Sequence, residues 1–272
     1  MSDLNRSAAG LDAGIWQRID AAALDAAAER LTARRFLEVD GPYGLGLTSL
    51  ETGPEERISE DTGAGDDLAA TVGSRALPVP MLQQPCALSV RRVEGHQQLS
   101  LPLDLRPVED AAEAVARREE HMIYHGVPQL GLAGLATAGG RAQMPCGDWS
   151  DLSQALSDVL GAVNRLDANG FGGPYALALA PERYNALFRR FEGSDMLQVD
   201  HLRRLCEAGL YKAPVAGGVL VDPRAGSLII GQDLRVGFSA TDGVHLKLFV
   251  SESLVLLLDD PEAICTLEPQ SR

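Results

Sequence analysis

The amino-acid sequence predicts an α+β protein in which helices come first and antiparallel strands last. Three observations carry this. Apolar residues recur at helical spacing within residues 11–35, 107–126 and 150–170. From Gly218 onward the period changes to two, and turn clusters rich in aspartate, glycine and proline divide that last part into strands.

Leu11 and Asp12 ahead of Trp16 fit a helix start, with Asp12 capping free amides and Leu11 packing on Trp16. The alanine-rich stretch propagates the helix. Leu24, Ala28 and Leu31 form its expected apolar stripe, which ends at the basic pair Arg34-Arg35, where cations suit a carboxyl end. Phe36 to Val39 reads as extended chain, and Asp40-Gly41-Pro42-Tyr43-Gly44 as a turn. Between Glu51 and Asp67 there are seven acids against the single base Arg57. No buried loop tolerates that, so the stretch is expected to project as an arm.

Pro107 suits the first turn of a long helix, in which Val108, Ala112, Val115 and Met122 hold helical spacing until Gly126. Leu152, Leu156, Val159, Val163 and Leu166 mark a second, capped by Asp148 or Ser150 and ended by Gly170. Tyr175 to Leu179 is a short buried strand. Pro181 opens a helix through Leu187, the loop Glu192-Gly193-Ser194-Asp195 follows, and a further helix carries Val199, Leu202 and Leu205. Val219 to Val221, Leu228 to Ile230, Leu234 to Phe238, Val244 to Val250, Leu254 to Leu258 and Ile264 to Leu267 then read as short strands of one sheet.

The 272 residues, 45% hydrophobic and 23% charged, suffice for one large domain or two modest ones and are too apolar to stay unfolded. With 24 basic residues against 38 acidic ones the net charge is −14, which argues against nucleic acid as a partner. The longest aliphatic run, Leu254 to Leu258, is far short of the ~20 residues that span a bilayer. Met1 to Ser7 lacks a secretory start, which predicts a cytoplasmic chain with reduced thiols. Cys86, Cys146, Cys206 and Cys265 show no C-x-x-C spacing.

Chemical signals are sparse. His121 and His125, with Glu120 beside them, could face one metal from a helix, but no third ligand is marked and no metal is expected. Cys206 with His201 could serve a thiol hydrolase, although a buried thiol is the commoner reading of such a cysteine. No dinucleotide fingerprint, P-loop or G-x-S-x-G elbow occurs, so no cofactor and no catalytic residue is assigned.

Three blocks say more: Trp16 to Asp20, Ala33-Arg34-Arg35-Phe36-Leu37-Glu38-Val39-Asp40-Gly41-Pro42-Tyr43-Gly44, and Gly231-Gln232-Asp233-Leu234-Arg235-Val236-Gly237-Phe238. With Leu248 to Ser253 and Pro261 to Ala263, they resemble the encapsulin shell proteins of bacteria and archaea, also known as linocin-type bacteriocins, in order from about Met1 to Leu267. The resemblance implies a tailed-phage major-capsid-like fold with a peripheral domain, an axial domain and an extended arm. Residues 1–43 would hold the N-terminal helices and the start of the peripheral domain, 44–76 the arm, 77–126 the peripheral domain with its spine helix, 127–221 the axial domain and 222–272 the C-terminal peripheral sheet. It implies a non-enzyme: a homo-oligomer forming an icosahedral shell, about sixty subunits when each position is filled once. Such shells enclose cargo enzymes, peroxidase or ferritin-like, through a C-terminal targeting peptide on the cargo, with roles in oxidative stress and iron storage.

Family placement of the first helix on the inner face implies a cargo groove of Leu24, Ala27, Leu31 and Val39, rimmed by Arg34 and Glu38. The alternative is that these leucines seal the core. By position, Glu192, Gly193, Ser194 and Asp195 would line a pore at the fivefold axis. Pro80 and Pro85 stand in Val79 to Pro85, where the family carries charged residues in a strand, so the local pairing is expected to suffer. A thiol or metal-dependent hydrolase and a relict phage capsid protein are the competing functions.

Overall fold

The computed structural model describes residues 4–58, 71–147, 149, 152–188 and 197–270. Helix α1, Ala13–Ala28, starts as its sequence dictates: the Asp12 carboxylate accepts the Ile15 amide at 2.9 Å. Its buried face is Ile15, Trp16, Ile19, Ala23 and Ala27. Leu24 and Ala28 point to solvent instead, which corrects the expected stripe. The helix also ends at Ala28 and not at Arg35, with Ala33–Arg35 a separate 3-10 turn.

Strand β1, Glu38–Asp40, is followed by β2, Ser49–Ile58, and β3, Thr71–Pro78, which among the described residues pair with each other alone as an antiparallel ribbon. The expected arm is therefore a hairpin, whose segment 59–70 lies outside the described residues. Its base packs through Leu47, Leu50 and Leu77 against Val79, Leu132, Ile229 and Val255.

Strand β4, Met81–Ser89, leads through α2, Val90–Leu99, to α3, Arg106–His125. The 20 residues of α3 span about 30 Å and serve two cores. Near its start, Val108, Ala112, Val115 and Ala116 pack with α1 and with the outer halves of two long strands, β9 (Gly226–Thr241) and β10 (His245–Leu258). Near its end, Met122, Ile123 and Tyr124 enter a second core.

That second core surrounds β5 (Ala142–Cys146), α4 (Leu152–Ala168), β6 (Ala176–Leu179), α5 (Pro181–Ala186), α6 (Gln198–Leu205), β7 (Gly209–Lys212), β8 (Gly218–Val221) and β11 (Ile264–Pro269). Of the predicted face of α4, Val159 and Leu166 are buried and Leu156 and Val163 half-buried against this core, while Ala155 and Ala162, outside the predicted stripe, are buried beside them.

Two main sheets result, ordered β1-β9-β10-β4 and β5-β11-β8-β6-β7. Two expectations change here. The predicted short strands around Ile229 and Val236 are one 16-residue strand, β9, and those at Val244 to Val250 and Leu254 to Leu258 are one 14-residue strand, β10. Gly231 does not break it, because the backbone there must clear the Ser253 hydroxyl, which a Cβ would meet at 2.5 Å. Val219 to Val221 and Ile264 to Leu267 do not join the long-stranded sheet; as β8 and β11 they pair antiparallel in the other one, with β11 also parallel to β5. Pairing around the prolines is intact, from His245↔Ser89 to Ser253↔Met81 with Phe249 opposite Pro85. As the sheet edge, β4 leaves proline's missing donor without a required partner.

Candidate functional site

The segment between α1 and the ribbon is fastened to the spine of the molecule. The Thr32 amide and hydroxyl and the Ala33 amide all donate to the Glu120 carboxylate of α3. Those bonds take the place of a further helical turn. Arg34 then forks onto Glu119 at 2.6 and 2.8 Å and reaches Glu252 of β10 at 2.9 Å. Both acids are fully buried, so two acid side chains share the one partly exposed guanidinium of Arg34. Burial, and next the Glu119 charge, push the Glu252 carboxyl well above the usual carboxylate range, with Asp233 adding to the shift and Arg34 opposing it. Burial raises Glu120 too, against the pull of its bonds from Thr32 and Ala33.

Beyond this clamp, Phe36 and Leu37 are buried and β1 runs parallel to β9, with Val39 opposite Leu228. At Gly41, φ is +127°, and a Cβ would lie 2.5 Å from the Ile230 carbonyl oxygen. Only glycine allows that approach. It lets the Tyr43 amide donate to Ile230 and the Gly44 amide to Gly231.

The six expected groove residues separate into two groups. Leu24 (51% exposed), Glu38 and Val39 (43% exposed) face outward, and Leu31 is half-buried against the α1–α3 core. Ala27 lies in that core and offers no surface, and Arg34 is engaged in the buried clamp, so neither can line an open groove as expected. What sequence reasoning missed is the surface around Leu24. A groove of about 700 Å³ there is lined by Leu11, Trp16, Asp20, Ala21 and Leu24 of the α1 region together with Arg6. A second, of about 520 Å³, lies between α1 and α3 with Asp25, Glu29 and Glu109 on its walls.

The expected pore residues Glu192, Gly193, Ser194 and Asp195 lie outside the described residues, as do the capping candidates Asp148 and Ser150. The His121 and His125 rings lie 4.7 Å apart between centroids, and His125 bonds the Pro214 carbonyl. Among the described residues no three ligating side chains gather. Burial pushes the Cys206 thiol up to about 12, which removes the thiolate that a thiol hydrolase needs.

Comparison with known proteins bears on the whole chain. A family model described as "Encapsulating protein for peroxidase" matches residues 1–255. The type 1 encapsulin shell protein of Rhodospirillum rubrum is 31% identical over 281 aligned positions, which cover 100% of this chain and 98% of that one. In three dimensions the chain is similar to a virus-like particle subunit from Pyrococcus furiosus, with a TM-score of 0.72 at 21% identity over 93% of this chain and 99% of that one. It is also similar to the capsid protein of Myoviridae phage XM1, with a TM-score of 0.58 at 17% identity over 86% and 90% of the two chains. The fold is that of phage-like capsid proteins.

Proposed function

The chain belongs to the encapsulin shell-protein family, and on that premise we propose how its parts serve a shell. It is a structural protein and not an enzyme: copies assemble into a closed icosahedral compartment that encloses cargo enzymes. The match of nearly the whole chain to encapsulating proteins carries this conclusion. The sheet of β1, β9, β10 and β4 with α1 and α3 serves as the peripheral domain, drawn from residues 1–43, 77–126 and 222–258. Residues 127–221, completed by β11 from the C-terminal segment, serve as the axial domain and residues 44–76 as the arm. Two sheets with an apolar core each and a ribbon paired with itself support this division, the second core also taking in Phe36, Leu228 and Leu254 where the domains meet. The cargo is a peroxidase or ferritin-like enzyme, and the compartment lies in the cytoplasm. Among the described residues no helix is long and apolar enough to cross a membrane.

The cargo's C-terminal peptide docks on the outer face of α1. Exposed Leu24 beside an open groove supports this, because a short apolar tail needs an apolar floor with polar walls. Replacing Leu24 disturbs no core contact, whereas half-buried Leu31 also packs inward. Leu24→Asp is expected to leave assembly intact, with hollow particles of megadalton mass by size exclusion and negative stain, while cargo co-purification falls about tenfold, the scale of one lost buried leucine contact. Unchanged cargo would remove this face from docking, and purified wild-type chain running as a monomer would overturn the shell itself.

Five copies of Glu192 and Asp195 at the fivefold axis form an acidic ring that favours cations. With Glu192→Gln and Asp195→Asn together, iron entry to an enclosed ferritin-like cargo is expected to slow severalfold in low salt and little in high salt. Equal rates in low salt would leave these acids without a transport role.

A further inference from the structure

Residues 4–9 lie along the outer side of β9, beyond the reach of β1, which covers that strand only at Ser227, Leu228 and Ile229. The Phe238 amide donates to the Leu4 carbonyl at 2.9 Å, and the Val236 carbonyl accepts from Arg6 Nε at 2.7 Å. An antiparallel neighbour would meet these two groups with a carbonyl and, two residues on, a backbone amide. The N-terminal segment supplies the carbonyl. At the second point a side chain stands in for the amide.

Arg6 makes most of the attachment. It forks onto Asp20 at 2.6 and 2.8 Å and lies over the Trp16 ring, 4.5 Å from its centroid. Beyond Arg6, the Arg6–Ala9 turn buries no residue fully, with Ala9 packing partly on the α1–α3 core. Leu4 has a φ of 42°, a left-handed conformation that costs a leucine, whereas Asn5, at 59°, tolerates it. Lifting the segment away would open a free strand edge beside the groove of Leu11, Ala21 and Leu24, with Asp20 and Trp16 awaiting another cation.

We propose that residues 4–9 are a displaceable strap, and that an extended segment of the cargo tail replaces it as an added strand on β9. The chemistry specifies the segment: a backbone that pairs with Val236 and Phe238, one basic residue for Asp20 and Trp16, and small apolar residues for the groove. This rests on the reading that the α1 face receives cargo.

A fluorescent reporter bearing the sequence of residues 1–10 as its C-terminal tail provides the probe, co-expressed with full-length shells. Arg6→Ala shells are expected to hold about tenfold more reporter than wild-type shells, the scale of one lost charge-assisted fork. A tail with its arginine changed to glutamate is expected to load no better than an untailed reporter. Should Arg6→Ala fail to assemble, deletion of residues 2–9, which removes no buried side chain from the strap turn, must load the reporter at least as well. Equal loading of wild-type and loosened shells overturns the strap while leaving cargo docking in place. Linked shells, with the strap of one chain on the edge of another, would overturn the cargo assignment. Absence of natural cargo from wild-type shells would overturn the docking reading itself.

Discussion

Shells are expected to be absent when residues 51–76 are replaced by a two-glycine turn joining Leu50 to Leu77. Those two residues are already partners in the ribbon register, so the shortcut closes without strain on the base and leaves the small cluster around Val79 intact. The subunit should therefore fold. What it loses is a two-stranded ribbon whose outer edges have no strand partner among the described residues. An isolated hairpin is marginal in water, and its unpaired edges and acid-rich sequence suit contact with a neighbouring chain better than packing at home. Closed symmetry repeats one set of contacts around the whole particle, so loss of one contact type removes the particle and does not merely loosen it. Size exclusion should show single subunits or small oligomers that keep the helical circular-dichroism signal and a cooperative unfolding transition. Hollow particles of full size from this variant would sink the assignment of residues 44–76 as the assembly arm.

The second large effect concerns the clamp. Arg34→Ala leaves Glu119 and Glu252 buried without their cation, a change that costs about 3–5 kcal/mol where buried pairs are broken from one side. Chemical denaturation of disassembled subunits would read this as a lower midpoint at unchanged slope. The same site sets a pH dependence. Glu252 and Glu120 hold their protons more tightly folded than unfolded, so their contribution is complete below the ordinary carboxylate range and is lost as pH rises through their raised folded values. Asp222 and Asp242 have the opposite sign, but their lowered values act only in more acidic solution, while His121, lowered by burial, opposes the trend around the ordinary histidine range. Subunits carrying Glu252→Gln, which mimics the protonated acid, should therefore lose less stability than the wild type as pH rises above the ordinary carboxylate range. Identical pH profiles for the wild type and Glu252→Gln would show that Glu252 is not held protonated by the fold.

Local signals made much of this legible. The Asp12 cap, the proline-to-glycine span of α3 and the stripe of α4 are short-range patterns, and the structure reproduces them. Failures begin where the deciding partner is distant. In α1 both candidate stripes contain alanine, and only packing against α3 selects Ile15, Ile19, Ala23 and Ala27. No proline or glycine marks the stop at Ala28; Glu120, 88 residues from Thr32, makes the alternative bonds. The clamp joins Arg34 to acids 85 and 218 residues away, so no spacing rule could find it. The prolines of β4 misled because a sequence does not state which strand is an edge. The shell-protein blocks conveyed the function without conveying these contacts.

Strand β11 lies between β5 and β8, although it is the last strand in chain order. A nascent chain thus carries β5 with no strand beside it, and β8 with one side open, until residues 264–269 have been synthesised. The second core stays incomplete through most of translation, and this high sequence separation slows its closure. Any contact that needs the completed core is deferred until residues 264–269 have left the ribosome and paired with β5 and β8.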